Sequence, residues 1–323
     1  MDHCKNTVYK KQKMNNVLII GGLGFIGHHL VGQLQGDFHV TVVDSRASYT
    51  PSQLYTARRN TIKTIDVHSM NITDVVSTDF EQDFTTVVHL GSYPNIKEIE
   101  RNPALGISSL THGVFHSIEL AKKLGAQRFI YSSSSMVYGD FTQNPCPETH
   151  SRNAKSIYGI YKKAAEDLII SRCEMLEMDY TIIRPIAVYG PRDNDNRVIS
   201  KFFKLARMGA ELPVRGDTAL DATYVMDTVQ GFECAVRSKN TNLIANISSG
   251  KSVTLHKVAE HIIDIVGSGS IQQLPKDPIY PNRGALDITT AETLLDYKPQ
   301  YDIKKGLKAY DTFYRSTESV SGM

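Results

Sequence analysis

Tyr158 and Lys162 stand four residues apart in the run Tyr158-Gly-Ile-Tyr-Lys162. Residues at i and i+4 share one helix face, so on a helix the ammonium lies beside the phenol. A neighbouring cation favours phenolate and lowers a tyrosine pKa. A phenol titrating near neutral pH is a general base toward an alcohol. Far upstream lies a second candidate, Gly21-Gly-Leu-Gly24-Phe-Ile-Gly27. It follows the apolar run Val17 to Ile20 and opens a helical pattern. In that context glycines let a pyrophosphate approach the backbone, and the helix N-terminus supplies N–H donors and a positive dipole end. An alcohol base combined with a dinucleotide turn predicts hydride chemistry on a hydroxyl-bearing substrate.

Asp44 follows Gly24 at the spacing, about 20 residues, at which a carboxylate meets the adenosine ribose hydroxyls and repels a 2′-phosphate. NAD is therefore favoured over NADP, although Arg46 stands near enough to pair a 2′-phosphate.

These residues need elements to position them. Apolar runs predict strands at 17–20, 38–43, 61–67, 85–90, 128–131 and 180–183. Helices are expected at 24–34, 103–124 and 156–172, the second from the spacing of Ile107, Leu110, Val114, Ile118 and Ala121. Alternating strands and helices imply a parallel α/β sheet covered on both faces. Ligands gather at the carboxyl ends of such strands. Gly21, Asp44, Gly91, Ser134 and Pro185 all follow predicted strand ends. Beyond Pro185 the pattern becomes irregular, with helices expected at 198–208, 225–238 and 253–266. A strand at 243–248 is expected to return to the sheet. The division is an arm at 1–15, a dinucleotide-binding domain at 16–185 and a smaller, interleaved substrate domain at 186–323.

With 323 residues, 41% hydrophobic and 22% charged, the chain has the composition of an ordinary soluble protein. A net charge of +2 gives no case for a nucleic acid or membrane partner. The four cysteines, Cys4, Cys146, Cys173 and Cys234, show no CxxC spacing. That argues against a disulfide scaffold or zinc site and fits a reducing compartment, so a cytoplasmic location is expected.

The ordered set of motifs resembles the extended short-chain dehydrogenases/reductases, specifically their NAD-dependent nucleotide-sugar epimerase/dehydratase group. The resemblance runs from about Asn16 to Tyr310. It rests on the glycine run, Asn71-Ile72, His89-Leu-Gly-Ser92, Ser132-Ser-Ser-Ser-Met-Val-Tyr-Gly139, Tyr158 to Lys162, Arg184-Pro-Ile-Ala-Val-Tyr-Gly-Pro191 and Asp287-Ile-Thr-Thr-Ala291. It implies a Rossmann-type doubly wound sheet with NAD as cofactor. Gly21, Gly24, Phe25, Ile26, Gly27, Asp44, Asn71, Ile72, Leu90, Gly91, Ser92 and Pro185 would line the cofactor. Ser134 would hydrogen-bond the reacting oxygen, Tyr158 would be the acid/base, and Lys162 would hold the nicotinamide ribose. Ser134, Ser135, Arg192, Arg215 and Arg283 would face a nucleotide-sugar substrate. A homodimer joined through helices 103–124 and 156–172 is also implied.

The likeness also bears on the reaction. Dehydratases of this group carry an acidic pair just after the catalytic hydroxyl, and UDP-glucuronate decarboxylases a glutamate two residues after it. Ser135 and Met136 hold those positions here. The expectation is C4 epimerisation of a UDP-hexose or UDP-uronate. The alternatives are a reductase or dehydrogenase of a 4-keto sugar or hydroxysteroid-like alcohol, and a non-catalytic NAD-binding regulator. Three departures leave the sugar open: Leu220 replaces a diphosphate-binding arginine, Leu110 an asparagine, and Ala187 a sugar-facing asparagine.

Overall fold

Short β-branched runs build the centre of the molecule. The computed structural model describes residues 15–45, 52–62, 65–76, 80–93, 95–216, 218–277 and 280–321. Nearly all of the predicted N-terminal arm, and Arg46, lie outside the described residues. The strands are β1 (Asn16–Ile20), β2 (His39–Asp44), β3 (Asp66–Ser69), β4 (Thr86–His89), β5 (Arg128–Ser132), β6 (Asp179–Pro185), β7 (Val188–Tyr189), β8 (Glu211–Arg215), β9 (Ala219–Leu220), β10 (Thr223–Tyr224), β11 (Leu243–Ile247), β12 (Val253–Thr254) and β13 (Ser270–Leu274). Seven of them form one sheet in the order β11-β6-β5-β4-β1-β2-β3. Every pairing in that sheet is parallel. β1 is in register with both β2 and β4, and Val17, Leu18 and Ile19 are fully buried. A strand covered on both faces has no reason to alternate polar and apolar residues.

The helices are α1 (Phe25–Leu34), α2 (Ser52–Asn60), α3 (Ile96–Arg101), α4 (Pro103–Ile107), α5 (Gly113–Lys123), α6 (Ile157–Met175), α7 (Val198–Arg207), α8 (Val225–Arg237), α9 (Leu255–Val266), α10 (Thr289–Leu294) and α11 (Ile303–Ser321). Helices α1 and α8 cover one sheet face through Leu30, Val31, Val229 and Phe232. Helices α5 and α6 cover the other through Val114, Ile118, Ala165 and Ile169. A further apolar core gathers Phe202, Phe203, Ile262 and Tyr310 from α7, α9 and α11. No described helix is long and apolar enough to cross a membrane.

Three expectations need correction. The third strand begins at Asp66, not Thr61. Residues 52–60, unassigned from sequence, are helical, and the Thr61 and Ile62 amides bond back to the Arg58 and Arg59 carbonyls. Ile62 is apolar because it plugs the core at this helix exit, not because it lies in a strand. The helix expected over 103–124 is interrupted by a π turn at Ser108–His112. There Ser109 donates to the Leu105 carbonyl and Thr111 to the Ile107 carbonyl. Such side-chain bonds compete with the regular ladder.

Candidate active site

The glycine run leaves β1 and enters α1, as its spacing requires. Gly21 has φ +81 and donates from its amide to the Val43 carbonyl at 2.7 Å. A Cβ on Gly27 would stand 2.2 Å from the Gly21 carbonyl oxygen. The turn is a tight cradle that side chains would fill. Leu23, at its centre, donates its amide to Asp44 Oδ2 at 2.9 Å. Asp44 thus braces the turn as well as standing at the end of β2. These features fit a dinucleotide's pyrophosphate and ribose. Gly27→Ala is expected to distort the cradle, costing about 1–3 kcal/mol by overpacking. A lowered denaturation midpoint together with lost bound dinucleotide would confirm this; an unchanged dinucleotide content would refute it.

The predicted trio, Ser134, Tyr158 and Lys162, is carried by the segment after β5 and by α6. Ser134 is extended and caps the 3₁₀ turn Ser135–Val137, its hydroxyl oxygen accepting from the Met136 amide at 3.2 Å. Ser156 caps α6 by accepting from the Gly159 amide at 3.0 Å. A Cβ on Gly159 would lie 2.5 Å from the Met136 carbonyl oxygen. This glycine therefore lets the first turn of α6 abut the serine segment. The Ser134 hydroxyl is near enough to the Tyr158 oxygen to favour its phenolate. Lys162 Nζ lies 5.8 Å from the Tyr158 ring centroid and 4.7 Å from that of Tyr131. It donates to the Ser132 carbonyl at 2.6 Å.

The electrostatics differ from the expectation of a depressed tyrosine. Burial pushes the Tyr158 phenol up to about 12, against smaller downward pulls from Arg197 and Ser134. Burial also pulls the Lys162 ammonium down to about 7, with Glu166 supporting its charge. Desolvation penalises both charged forms and here outweighs their mutual benefit. His89, beneath the site, is held by burial and by Lys162 at about 3, hence neutral.

Sequence reasoning missed the groups behind this trio. Glu166, fully buried on α6, sits one turn beyond Lys162. It accepts from Ser133 Oγ at 2.5 Å, from Arg184 Nε and Nη2 at 2.8 and 2.7 Å, and from Arg152 at 3.2 Å. Arg184, 1% exposed, also donates to the Tyr138 hydroxyl at 2.9 Å, which donates to Asn246 Oδ1 at 2.7 Å. The network ties α6, the serine segment, β6 and β11 together. The same i+4 spacing that links Tyr158 to Lys162 links Lys162 to Glu166, and could have found it.

The remaining predicted residues are scattered around this centre. Asn71 precedes the short turn Ile72–Asp74 after β3, and Leu90, Gly91 and Ser92 follow β4. Pro185 ends β6. Phe25 and Ile26 open α1 and pack on the core below the turn. Ser135 is buried, and its hydroxyl has no hydrogen-bond partner among the described residues. Arg283 is half-buried, its Nε likewise unpartnered, in a segment running beside residues 140–146. Arg215 lies exposed at the end of β8. Arg192 has its guanidinium 4.8 Å over the Phe313 ring and influences His28 and His29 of α1. Leu220 is 9% exposed in the apolar core of the second half, so no clamp stands there. Leu110 is buried within the π turn, and Ala187 adopts φ +41.

Comparison with known proteins agrees with this geometry. The family model described as the NAD dependent epimerase/dehydratase family matches residues 17–248. UDP-glucuronic acid decarboxylase 5 of Arabidopsis thaliana is 28% identical, over 96% of this chain and 92% of its own. The UDP-glucose 4-epimerase of Thermotoga maritima, solved with UDP-glucose, superposes with a TM-score of 0.86 at 26% identity, covering 94% of this chain and 99% of that one. The UDP-glucuronic acid 4-epimerase of Bacillus cereus, solved with UDP-glucuronic acid and NAD, gives a TM-score of 0.88 at 24% identity with the same coverage, a likeness of fold.

Proposed function

The chain belongs to the NAD-dependent epimerase/dehydratase family, and from that premise we propose that it is a C4 epimerase of a UDP-hexose or UDP-uronate. One observation carries the choice of reaction. Beside the complete set of Ser134, Tyr158 and Lys162, the next two positions hold Ser135 and Met136, both buried. Neither side chain exchanges a proton in the way that water elimination or assisted decarboxylation requires. Epimerisation needs only alcohol-proton and hydride transfer.

When bound, oxidised NAD would supply a reversible hydride acceptor and a positive charge at its nicotinamide. The protein's residues do the rest. Tyr158 accepts the C4 hydroxyl proton at its phenolic oxygen and gives it back after the 4-keto sugar has presented its other face. Ser134 hydrogen-bonds the same substrate oxygen and the phenol, keeping the two in line. Lys162 brings positive charge to the phenol from the same helix face. Burial keeps the phenol protonated in the empty site; the positive nicotinamide and Lys162 would favour the phenolate that then accepts the C4 proton, and the low local dielectric strengthens both charges. Arg283, with an unpartnered Nε, is the group proposed to meet the diphosphate.

Proton NMR of UDP-glucose, UDP-N-acetylglucosamine and UDP-glucuronate, each incubated without added cofactor, tests the proposal. The C4 epimer of one of them is expected. Release of carbon dioxide with a UDP-pentose would favour the decarboxylase activity named for the Arabidopsis relative.

A homodimer is proposed on the face of α4, α5 and α6, where Ile107, Phe115 and Ile160 are 43%, 41% and 49% exposed. Apolar side chains of this size clustered on one face mark an association surface. Phe115→Asp combined with Ile160→Asp is expected to yield a monomer in sedimentation, where the unaltered chain sediments as a dimer.

A further inference from the structure

Two side chains from the cofactor half reach across to the loop that follows β7. Arg58 of α2 is 3% exposed. Its Nε and Nη2 donate to the Arg192 carbonyl at 3.2 and 2.8 Å, and its Nη1 reaches the Leu23 carbonyl at 3.4 Å. His29 of α1 bonds through Nε2 to the Pro191 carbonyl at 3.1 Å. Burial holds the His29 imidazole down at about 4, so the ring is neutral near pH 7 and Nε2 is the donor. The two receiving carbonyls are consecutive. The second belongs to Arg192, at φ +61, a conformation that side-chain-bearing residues adopt at a cost. Beyond it, Asp193 is 3% exposed and lies 3.4 Å from Arg197. A buried guanidinium, a half-buried imidazole and a strained backbone thus fix one short loop against the helix that opens at the glycine turn.

Leu23 explains what the arrangement is for. It is the residue between Gly22 and Gly24. Asp44 holds its amide and Arg58 its carbonyl. The peptides that shape the cradle are therefore tied, through one guanidinium, to a loop contributed by the other half of the chain.

We propose that Arg58 and His29 form a clasp that shuts the loop at 190–193 against the glycine turn and keeps NAD resident between turnovers, with Arg58 the main positioning residue. The inference rests on the epimerase reading above, in which NAD ends each turnover in the form in which it began. A redox-neutral enzyme gains nothing from releasing its cofactor, whereas a net oxidoreductase must exchange it every cycle. A clasp made of a buried guanidinium and a half-buried imidazole suits the first.

The test is exchange of labelled NAD into the purified, NAD-loaded protein, without sugar. Arg58→Met keeps the buried stem and removes all three donors. It is expected to speed exchange about 10- to 100-fold, the equivalent of one or two charge-assisted hydrogen bonds. His29→Phe keeps a ring and removes one donor, with an expected acceleration of up to about 10-fold. The midpoint of the NAD-stripped protein should remain unchanged in His29→Phe. Exchange at the unaltered rate in folded Arg58→Met overturns the clasp, as does acceleration that only tracks lost stability of the stripped protein. If Arg58→Met does not fold, His29→Phe decides: faster exchange supports the clasp and an unchanged rate rejects it. Because no sugar is present, failure here leaves the epimerase reading to its own NMR test.

Discussion

Tyr158→Phe is expected to lower turnover by roughly 10²–10⁴-fold, the usual worth of a positioned general acid/base, while leaving NAD content and denaturation midpoint close to those of the unaltered protein. The substitution removes one oxygen and keeps the ring that Lys162 approaches at 5.8 Å. Ser134 still accepts from the Met136 amide. The loss should therefore fall on chemistry rather than on the fold. Turnover measured by NMR beside NAD content from acid extraction separates the two. A fully active variant would remove Tyr158 from the mechanism.

Glu166→Gln is expected to have the largest effect on stability. Glu166 and Arg184 are 0% and 1% exposed and share two hydrogen bonds at 2.8 and 2.7 Å. Neutralising one partner leaves a buried guanidinium uncompensated, which costs about 3–5 kcal/mol. Guanidinium denaturation of the unaltered and substituted chains reads this directly, and a difference below about 1 kcal/mol would contradict it. A kinetic signature should accompany it. Glu166 supports the Lys162 charge, already pulled down to about 7 by burial. Removing that support moves deprotonation of Lys162 to lower pH. If the cation is the working form, the alkaline fall of activity moves to lower pH with it. An alkaline limb left in place would show that Lys162 does not depend on Glu166. The opposite substitution, Arg184→Met, leaves the carboxylate without its bidentate partner, with Arg152 at 3.2 Å and the nearby Lys162 still present, and should also destabilise the fold.

What was legible in the sequence follows from how local each feature is. The sheet was readable because β1, β4, β5 and β6 are buried on both faces and their apolar runs are short and bounded. Strand β3 was not, since Ile62 and Ile65 flank a helix exit and β3 itself reads Asp-Val-His-Ser. Helix α2, Ser-Gln-Leu-Tyr-Thr-Ala-Arg-Arg-Asn, has no apolar stripe to announce it. Its structural role is carried by one buried arginine. The trio Ser134, Tyr158 and Lys162 was legible because each is set by a strand end or a helix turn. Their electrostatics did not. The i+4 rule gives the neighbour of Tyr158 but not the desolvation that raises its phenol and lowers the ammonium. Arg58, His29 and Arg184 act through contacts 18 to 162 residues distant in sequence. No window of sequence contains such pairs. The contact of Arg192 was hidden for the same reason: its partner ring, Phe313, arrives from the last helix.

The most direct test of the central claim follows the hydride itself. A UDP-sugar turned over in the NMR panel would be supplied with deuterium at C4 and incubated with the purified protein, without added NAD. The account predicts a C4 epimer that keeps its deuterium at C4, with no label lost to water and no net reduced nicotinamide. Deuterium washed into solvent, stoichiometric accumulation of reduced nicotinamide, or a decarboxylated product would contradict it.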